Sequence, residues 1–368
     1  MRTVVTRRGA LGAGAGVAGL AAAGLAAEAL GANGFDAGRR EEGEPTGRRA
    51  TGELQLRPPK ATPIQRFEIG QPDKRRFGAL EFRSGLALAS DYSSFGGLSG
   101  LAMLEGGARM LAVSDAGDWF SARVERREGL LSGLSDLRTA PMIGPKGELM
   151  RERRRYDAEG VTIAPDGFAY VSYERVHEVW RYDVLRQGLM TRAAPTPVPA
   201  DVKTLSSNKS LEAIAAPPAG HALDGLLVII AERPPRAFPQ AAHATPAWAI
   251  PTQPGGRGFA FSVARIDDYD VSDCAFLPSG ELLVLERRFR WLDGVRSRLR
   301  RLEAQAIRPG ARVEGELIFS ADMSHEIDNL EGLGVWTQPD GAVILTMVSD
   351  DNFNWFQRNL MLEFRYLG

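Results

Sequence analysis

The chain has 368 residues, of which 45 are Lys or Arg and 46 are Asp or Glu, so its formal net charge is −1. This balance argues against a nucleic-acid-binding protein, which shows a basic excess or a basic stripe. The single cysteine, Cys274, excludes an intramolecular disulfide and any metal site built from several cysteines, and four scattered histidines disfavour a multi-histidine zinc site.

The N-terminal segment has the features of an export signal. Residues 1–32 contain Thr6-Arg7-Arg8-Gly9, which resembles a twin-arginine motif, then a Gly/Ala run, then a possible cleavage site at Ala27-Glu28-Ala29. An uncleaved anchor is the alternative, because the run is long enough to span a bilayer. We expect cleavage, a periplasmic or secreted mature protein and no stable membrane span after signal removal. Residues 33–60 are predicted to be a disordered linker, which leaves 61–368 as the folded domain.

One hairpin pattern recurs five times in the rest of the chain. Its copies are anchored at Ser99, Glu159, Glu212, Asp273 and Glu331, with spacings of 60, 53, 61 and 58 residues. Such a period fits one four-stranded blade, so the sequence predicts an all-β fold, a β-propeller. The alternating C-terminal strand is expected to pair with an N-terminal strand and close the ring. Counting this mixed blade, we expect five or six blades and favour six.

Turn positions predict which residues face each other across each hairpin. With two-residue turns at Asp166-Gly167, Ser279-Gly280 and Asp340-Gly341, opposed residues have a constant sum of numbers. This places a carboxylate opposite a carboxylate in three hairpins: Glu159 and Glu174, Asp273 and Glu286, and Glu331 and Asp350. In the third copy a longer turn allows the same pairing of Glu212 with Glu232 but does not fix it. Opposed acids repel, so they require positive charge, protonation or a divalent cation.

Two interpretations of this carboxylate ring stay open. One is a functional site at the rim of the propeller channel that holds Ca²⁺ or another divalent cation such as Mg²⁺. The other is a structural network of salt bridges, because three of the acids are followed by arginine, at Arg175, Arg233 and Arg287.

The same residues resemble a known family. Three hairpins start with DAEG, SLEA and NLEG, three strands end in YER, AER and LER, and the last motif is VSDDNF. Over about residues 75–367, these motifs resemble the phytase-like domain family. Its members are described as having esterase-like activity of the phytase type. The resemblance implies a propeller-like repeat domain whose acidic residues serve phosphoester chemistry. The matching positions are Asp157, Glu159, Glu174, Glu212, Glu232, Glu286, Glu331, Asp350 and Asp351.

We therefore predict an exported, metal-dependent hydrolase of phosphate esters or related esters. The predicted catalytic carboxylates are Glu159, Glu212 and Glu331. The predicted metal ligands are Asp157, Glu174, Glu232, Asp273, Glu286, Asp350 and Asp351. The predicted substrate-binding residues are Arg175, Arg233 and Arg287, the substrate is a small-molecule ester, and the protein is a monomer. The alternatives are a Ca²⁺-dependent lactonase or carboxylesterase, and a non-catalytic exported propeller that binds a ligand or partner.

The segment from Pro234 to Pro254 contains six prolines. It is too long for an ordinary hairpin connection, so we predict a loop over the rim, either a substrate lid or a packed surface loop.

Overall fold

The computed structural model describes residues 51–150, 157–206, 209–235, 243–354 and 356–368. The predicted signal, and residues 33–50 of the predicted linker, lie outside these ranges. Residues 51–60 are described, and they contain strand β1, Leu54–Gln55, and the start of β2. Among the described residues, every helix is too short or too polar to cross a membrane.

The strands form five sheets, each antiparallel except for one short parallel pair in the third. The first blade contains β1 (Leu54–Gln55), β5 (Leu98–Leu104), β6 (Arg109–Ser114), β7 (Asp118–Arg127) and β8 (Leu130–Pro141). The second contains β9 (Ala158–Ile163), β10 (Ala169–Tyr173), β11 (Glu178–Tyr182) and β12 (Ala194–Thr196). The third contains β13 (Leu211–Ala215), β14 (Leu226–Ala231), β15 (Ala244–Pro251), β16 (Phe259–Ala264) and β20 (Arg312–Val313).

The fourth blade contains β17 (Asp270–Phe276), β18 (Leu282–Arg290), β19 (Gly294–Leu302) and β21 (Glu316–Ala321). The fifth contains β2 (Lys60–Ile64), β3 (Arg76–Phe77), β4 (Leu80–Ala89), β22 (Asn329–Thr337), β23 (Val343–Asp350) and β24 (Asn359–Tyr366). The described helical segments are one α-helix, α1 (Val184–Gln187), and three 3-10 turns at Glu105–Gly107, Ala200–Thr204 and Ala304–Ala306.

The innermost strands close a ring. β5 packs on β9, β9 on β13, β13 on β17, β17 on β22, and β22 returns to β5. Each pair of neighbouring blades also shares its own buried apolar cluster; Leu86 and Met361 of the fifth blade, for example, pack with Leu98 and Met110 of the first. Because every blade buries its two faces against two neighbours, the fold is a five-bladed β-propeller.

The predicted all-β propeller is confirmed, with five blades rather than the favoured six. The expected mixed blade exists, since β24 pairs with β4 along its length. However, β24 also pairs with β23 of the fifth hairpin copy. The mixed blade and the fifth copy are therefore one sheet, and the terminal strands complete it.

Small residues follow the anchor positions because the inner strands lie very close together. A Cβ atom at Gly100 would come within 2.5 Å of the Glu159 carbonyl oxygen in the next blade. A Cβ at Gly160 would come within 2.9 Å of the Glu212 carbonyl oxygen. Glycine at these positions lets each inner strand approach its neighbour, which brings the side chains on either side of it towards a common axis.

The predicted rim loop from Pro234 to Pro254 is in large part a strand. Its second half forms β15, with Trp248 buried in the apolar cluster between the second and third blades. The Trp248 indole nitrogen donates a hydrogen bond to Asp201. Among the described residues of this segment, 234–235, 243 and 252–254 lie outside the strand.

Candidate functional site at the propeller mouth

The hairpin turns are longer than the two residues expected. In the second blade, the Ala164 backbone nitrogen donates to the Phe168 carbonyl oxygen, and Gly167 has a left-handed φ of +82°. The fourth and fifth blades repeat this hydrogen bond between Leu277 and Glu281 and between Gln338 and Ala342. A proline starts each of these turns and a left-handed glycine ends it, so the pairing is displaced by one residue.

A second displacement lies inside every inner hairpin. The register shifts at or next to one residue of each inner strand, as expected of a β-bulge. These five residues, which we call the bulge row, are Ser99, Glu159, Glu212, Ser272 and Glu331. The predicted face-to-face carboxylate pairs are therefore wrong: Asp273 pairs with Leu285, Glu286 with Val271, and Asp350 with Asn329.

The true register aligns a different set of residues at the mouth. The second strand of each hairpin carries one member of what we call the mouth row, at its end, just after it or, for Arg287, within the extended strand β18: Asp115, Glu174, Glu232, Arg287 and Asp350. Their backbone partners on the inner strands are Gly97, Asp157, Ser210, Asp270 and Asn329, respectively. Four blades thus place a carboxylate in the mouth row, and the fourth blade places a guanidinium there.

Two predicted metal ligands of the fourth blade, Glu286 and Asp273, lie away from the mouth. Glu286 precedes Arg287 in the strand, so it faces the opposite side. There its carboxylate lies 2.7 Å from Arg298 Nε and 2.5 Å from Arg300 Nη2, buried between sheets. Asp273 follows the bulge and accepts hydrogen bonds from the backbone nitrogens of Cys274 and Leu333. Both acids are structural, and neither joins the mouth.

Asp351 also has a structural role. Its Oδ1 accepts hydrogen bonds from the Gly97 and Phe353 backbone nitrogens, and its Oδ2 accepts one from Asn359. These contacts connect the fifth blade to the first and leave the carboxylate with few free acceptor sites.

The other predicted acids do meet, in two overlapping groups of three. Carboxylate oxygens of Asp157, Glu159 and Glu174 lie within 4.8 Å of one another, as do those of Glu174, Glu212 and Glu232. We call these the first and second triads. Glu174 belongs to both, so the two triads are continuous across the second and third blades. Oxygen donors at this spacing are the ligands that Ca²⁺ and Mg²⁺ prefer.

Positive charge is distributed unevenly between the triads. Glu232 Oε1 lies 3.1 Å from Lys209 Nζ, 3.4 Å from Arg233 Nη2 and 3.9 Å from Arg287 Nη2. Arg287 Nη2 also lies 3.4 Å from Glu212. In the first triad, Arg175 Nε forms an ion pair with Asp157 Oδ2 at 2.6 Å, and the Arg175 side chain is half exposed. The first triad is therefore the better cation site, because the second already has cationic partners.

One buried oxygen at the mouth has no partner. Glu232 is 2% exposed, and its Oε2 atom makes no hydrogen bond within the described part of the chain. A buried carboxylate oxygen without a donor is costly, so this atom fits a site that receives a cation or a donor from a ligand.

Burial, together with the crowding of the acids, raises the pKa values of mouth carboxylates. Burial, aided by the charges of Asp157 and Glu331, raises the pKa of Asp115 to about 7. Burial, aided by Asp157 and Glu232, raises the pKa of Glu174 to about 8. Burial likewise holds the pKa values of Glu159, Glu212 and Asp350 well above their usual range. The mouth therefore holds protons near neutral pH unless a cation replaces them.

Two residues of this site were missed from the sequence. Asp115 is not among the predicted site residues, yet it is the first blade's member of the mouth row. His177 has a left-handed φ of +55°, and its Nδ1 shares a hydrogen bond of 2.5 Å with Ser210 Oγ in the next blade. The Ser210 backbone nitrogen in turn donates to Glu174 Oε1 at 3.3 Å. His177 thus supports the carboxylate that both triads share.

A family model described as "Phytase-like: Esterase-like activity of phytase" matches residues 93–353. None of the curated proteins matches the chain.

Similar solved structures include three proteins of low sequence identity. A putative gluconolactonase is 12% identical with a TM-score of 0.40, over 85% of this chain and 92% of that one. The calcium-binding protein regucalcin from Agrobacterium tumefaciens is 11% identical with a TM-score of 0.40, over 82% and 94%. A streptogramin B lyase is 9% identical with a TM-score of 0.36, over 73% and 94%. At these values the likenesses assign no activity to this chain.

Proposed function

Because this chain belongs to the phytase-like family described as having esterase-like activity of phytase, we propose that it is a hydrolase of phosphate esters or related esters that uses a divalent cation. The observation that carries the proposal is the first triad, in which three carboxylates converge within 4.8 Å with few cationic partners. We further propose that the protein is exported through a twin-arginine signal and acts as a monomer.

Asp157, Glu159 and Glu174 would hold the cation. Their hard oxygen donors suit Ca²⁺ or Mg²⁺. The neighbouring Glu232 Oε2, which has no hydrogen-bond partner among the described residues, could accept a hydrogen bond from a water or ligand at the mouth. When bound, such a cation polarises an ester oxygen and lowers the pKa of a coordinated water. In this proposal Glu159 is a ligand of the cation and not a catalytic carboxylate.

Asp115 is our candidate for the general base. It lies in the mouth row, is partly exposed, and interacts electrostatically with Asp157 of the first triad. From this position its carboxylate can accept a proton from a water held at the first triad. Of the predicted catalytic acids, Glu331 is less suited, because it is held by Arg287 and by the Asn329 side-chain amide.

The cations of the third and fourth blades would bind the anionic part of a substrate. Lys209 and Arg233 are partly exposed beside the second triad, and Arg287 lies on the same side. A phosphate placed between the first triad and these side chains would have its charge balanced from both sides. This arrangement favours a phosphate ester over a neutral lactone.

A hydrolysis screen tests the proposal. The substrates are p-nitrophenyl phosphate, bis-p-nitrophenyl phosphate and p-nitrophenyl acetate, each with Ca²⁺, with Mg²⁺ and with a chelator. We expect turnover of a phosphate ester that the chelator abolishes and that Asp115→Asn lowers by about 10²–10⁴-fold. Asp340→Asn is the matched control, because Asp340 lies in the turn at the opposite end of the fifth blade. If Ca²⁺ raises the melting temperature but no ester is hydrolysed, the protein is a binding propeller.

A further inference from the structure

The connection between β23 and β24 contains a strained aromatic residue. Asn352 and Phe353 both have a left-handed backbone conformation, with φ values of +46° and +50°. Eight non-glycine residues in the described ranges have a positive φ, and Phe353 is the one among them with an apolar side chain. This region is disfavoured for a bulky residue, because the Cβ atom comes too close to a backbone carbonyl oxygen. The surrounding structure must therefore hold Phe353 in this conformation.

Two aspartates that precede Phe353 fix its backbone. Asp350 Oδ1 accepts a hydrogen bond from the Asn352 backbone nitrogen at 2.6 Å. Asp351 Oδ1 accepts one from the Phe353 backbone nitrogen at 3.1 Å and another from the Gly97 backbone nitrogen of the first blade at 3.2 Å. The Phe353 side chain is nevertheless 45% exposed, so burial does little to offset the strain. Strain that the structure maintains in this way is typical of functional sites.

The exposed ring lies beside the candidate general base. A Cβ atom at Gly97 would collide with Asp115 Oδ1 and would come within 2.7 Å of Phe353 Cε2. Since both groups crowd the same point, the ring and the carboxylate are neighbours where the fifth blade meets the first. Asp115 in turn interacts electrostatically with Asp157 of the first triad. An ester whose phosphate is bound at the first triad therefore has an aromatic surface within reach.

We propose that Phe353 is an aromatic wall that selects substrates by stacking against an aromatic group of the ester. The inference rests on the proposed binding of the substrate phosphate at the first triad. Offset and edge-to-face stacking both need an exposed ring on a fixed backbone, and Phe353 meets both conditions. Gly97 leaves the necessary room, because its φ of +61° and its missing side chain let the ring and the Asp115 carboxylate approach.

Binding of phosphonates tests this proposal without turnover, because a carbon–phosphorus bond replaces the ester bond. The probes are phenylphosphonate, cyclohexylphosphonate and methylphosphonate, titrated calorimetrically into the full chain with Ca²⁺ and with Mg²⁺. We expect phenylphosphonate to bind about tenfold more tightly than methylphosphonate, and also more tightly than cyclohexylphosphonate, which has a ring of similar size that is not flat. Phe353→Ala should remove most of this preference and leave the affinity for methylphosphonate unchanged.

Two control variants complete the test. Phe353→Tyr keeps the ring and should keep the preference, and so should Phe289→Ala, at a phenylalanine of the fourth blade that is 43% exposed. The proposal is overturned if wild type binds none of the phosphonates or shows no preference, if Phe353→Ala retains the preference, or if it weakens all three ligands equally, as a structural residue would. Hydrolysis of esters without the preference refutes the aromatic wall alone. The preference without hydrolysis supports the wall and refutes the proposed activity.

Discussion

The guanidinium of Arg287 in the fourth blade lies 2.5 Å from the carboxylate of Glu331 in the fifth. Burial opposes the charge of Arg287, but the carboxylates of Glu331, Glu212 and Glu232 outweigh it and hold the arginine pKa above its usual value. Arg287 therefore remains a fixed positive charge where the other four blades place an acid. The excess of negative charge is left on the first and second blades, which is where we place the cation.

Glu174 is the residue whose loss should affect cation binding most, because it belongs to both triads. We expect Glu174→Gln to weaken Ca²⁺ binding by at least about tenfold, measured by calorimetry. The metal-free variant should be at least as stable as wild type, since one repelling carboxylate is gone. Glu316→Gln, at an exposed glutamate of β21, should bind Ca²⁺ normally. Equal affinities for the two variants would contradict this assignment.

Substitution of Glu286 should lower stability without changing calcium binding, the reverse of what we expect for Glu174. Its carboxylate is buried against Arg298 and Arg300, so Glu286→Gln leaves two buried guanidiniums without a counter-charge. We expect a loss of about 3–5 kcal/mol in the free energy of unfolding, measured in urea. Calcium affinity of the folded variant should stay at the wild-type value. A stable Glu286→Gln protein that has lost calcium binding would place Glu286 back in the site.

Stability without metal should fall as the pH rises. Asp115 and Glu174 have pKa values of about 7 and about 8 in the folded protein, above their ordinary values of 3.8 and 4.5. The folded state binds more protons than the unfolded state in this range, so stability is lost between about pH 4 and pH 8. Added Ca²⁺ takes the place of the protons. The increase in melting temperature caused by Ca²⁺ should therefore be larger at about pH 8 than at about pH 5.

His177 offers a test of backbone strain at the mouth. Histidine at a φ of +55° costs about 1–2 kcal/mol, which its hydrogen bond to Ser210 offsets in part. His177→Ala keeps the strain and loses the bond, whereas His177→Gly loses both. We expect the glycine variant to be more stable than the alanine variant by about 1 kcal/mol in denaturant unfolding. The same stability for both would mean that the turn relaxes around the substitution.

The sequence predicts the propeller well because each blade repeats the same local signals. The Pro-Asp-Gly turn of the second blade recurs in the fifth, and the fourth has Pro-Ser-Gly. The blade count was harder to predict. The alternating pattern of residues 360–366 predicted a half-buried strand, whereas residues 359–364 of β24 are all buried, and the pattern does not show that β23 is its neighbour. Pairing between distant segments depends on ring closure, which no local pattern records.

The candidate site was predicted in part, and the error has a definite origin. Glu159 lies eight residues before Gly167, and Glu174 lies seven residues after it. The same distances from Gly280 lead to Ser272 and Arg287, not to Asp273 and Glu286. Measuring from the turn glycine would have identified the arginine in the mouth row. The assumption of two-residue turns displaced the predicted register by one residue, and the β-bulges, which displace it again, leave no signal in the sequence.

The order β4-β24-β23 in the fifth blade has a consequence for biosynthesis. Strand β24, which follows all the other described strands in the chain, is the one that joins β4 to β23. Until residues 359–366 emerge, β4 and β23 both present bare edges that can recruit the strands of other nascent chains. A product terminated before residue 359 should therefore accumulate as insoluble material, however well its first four blades are formed.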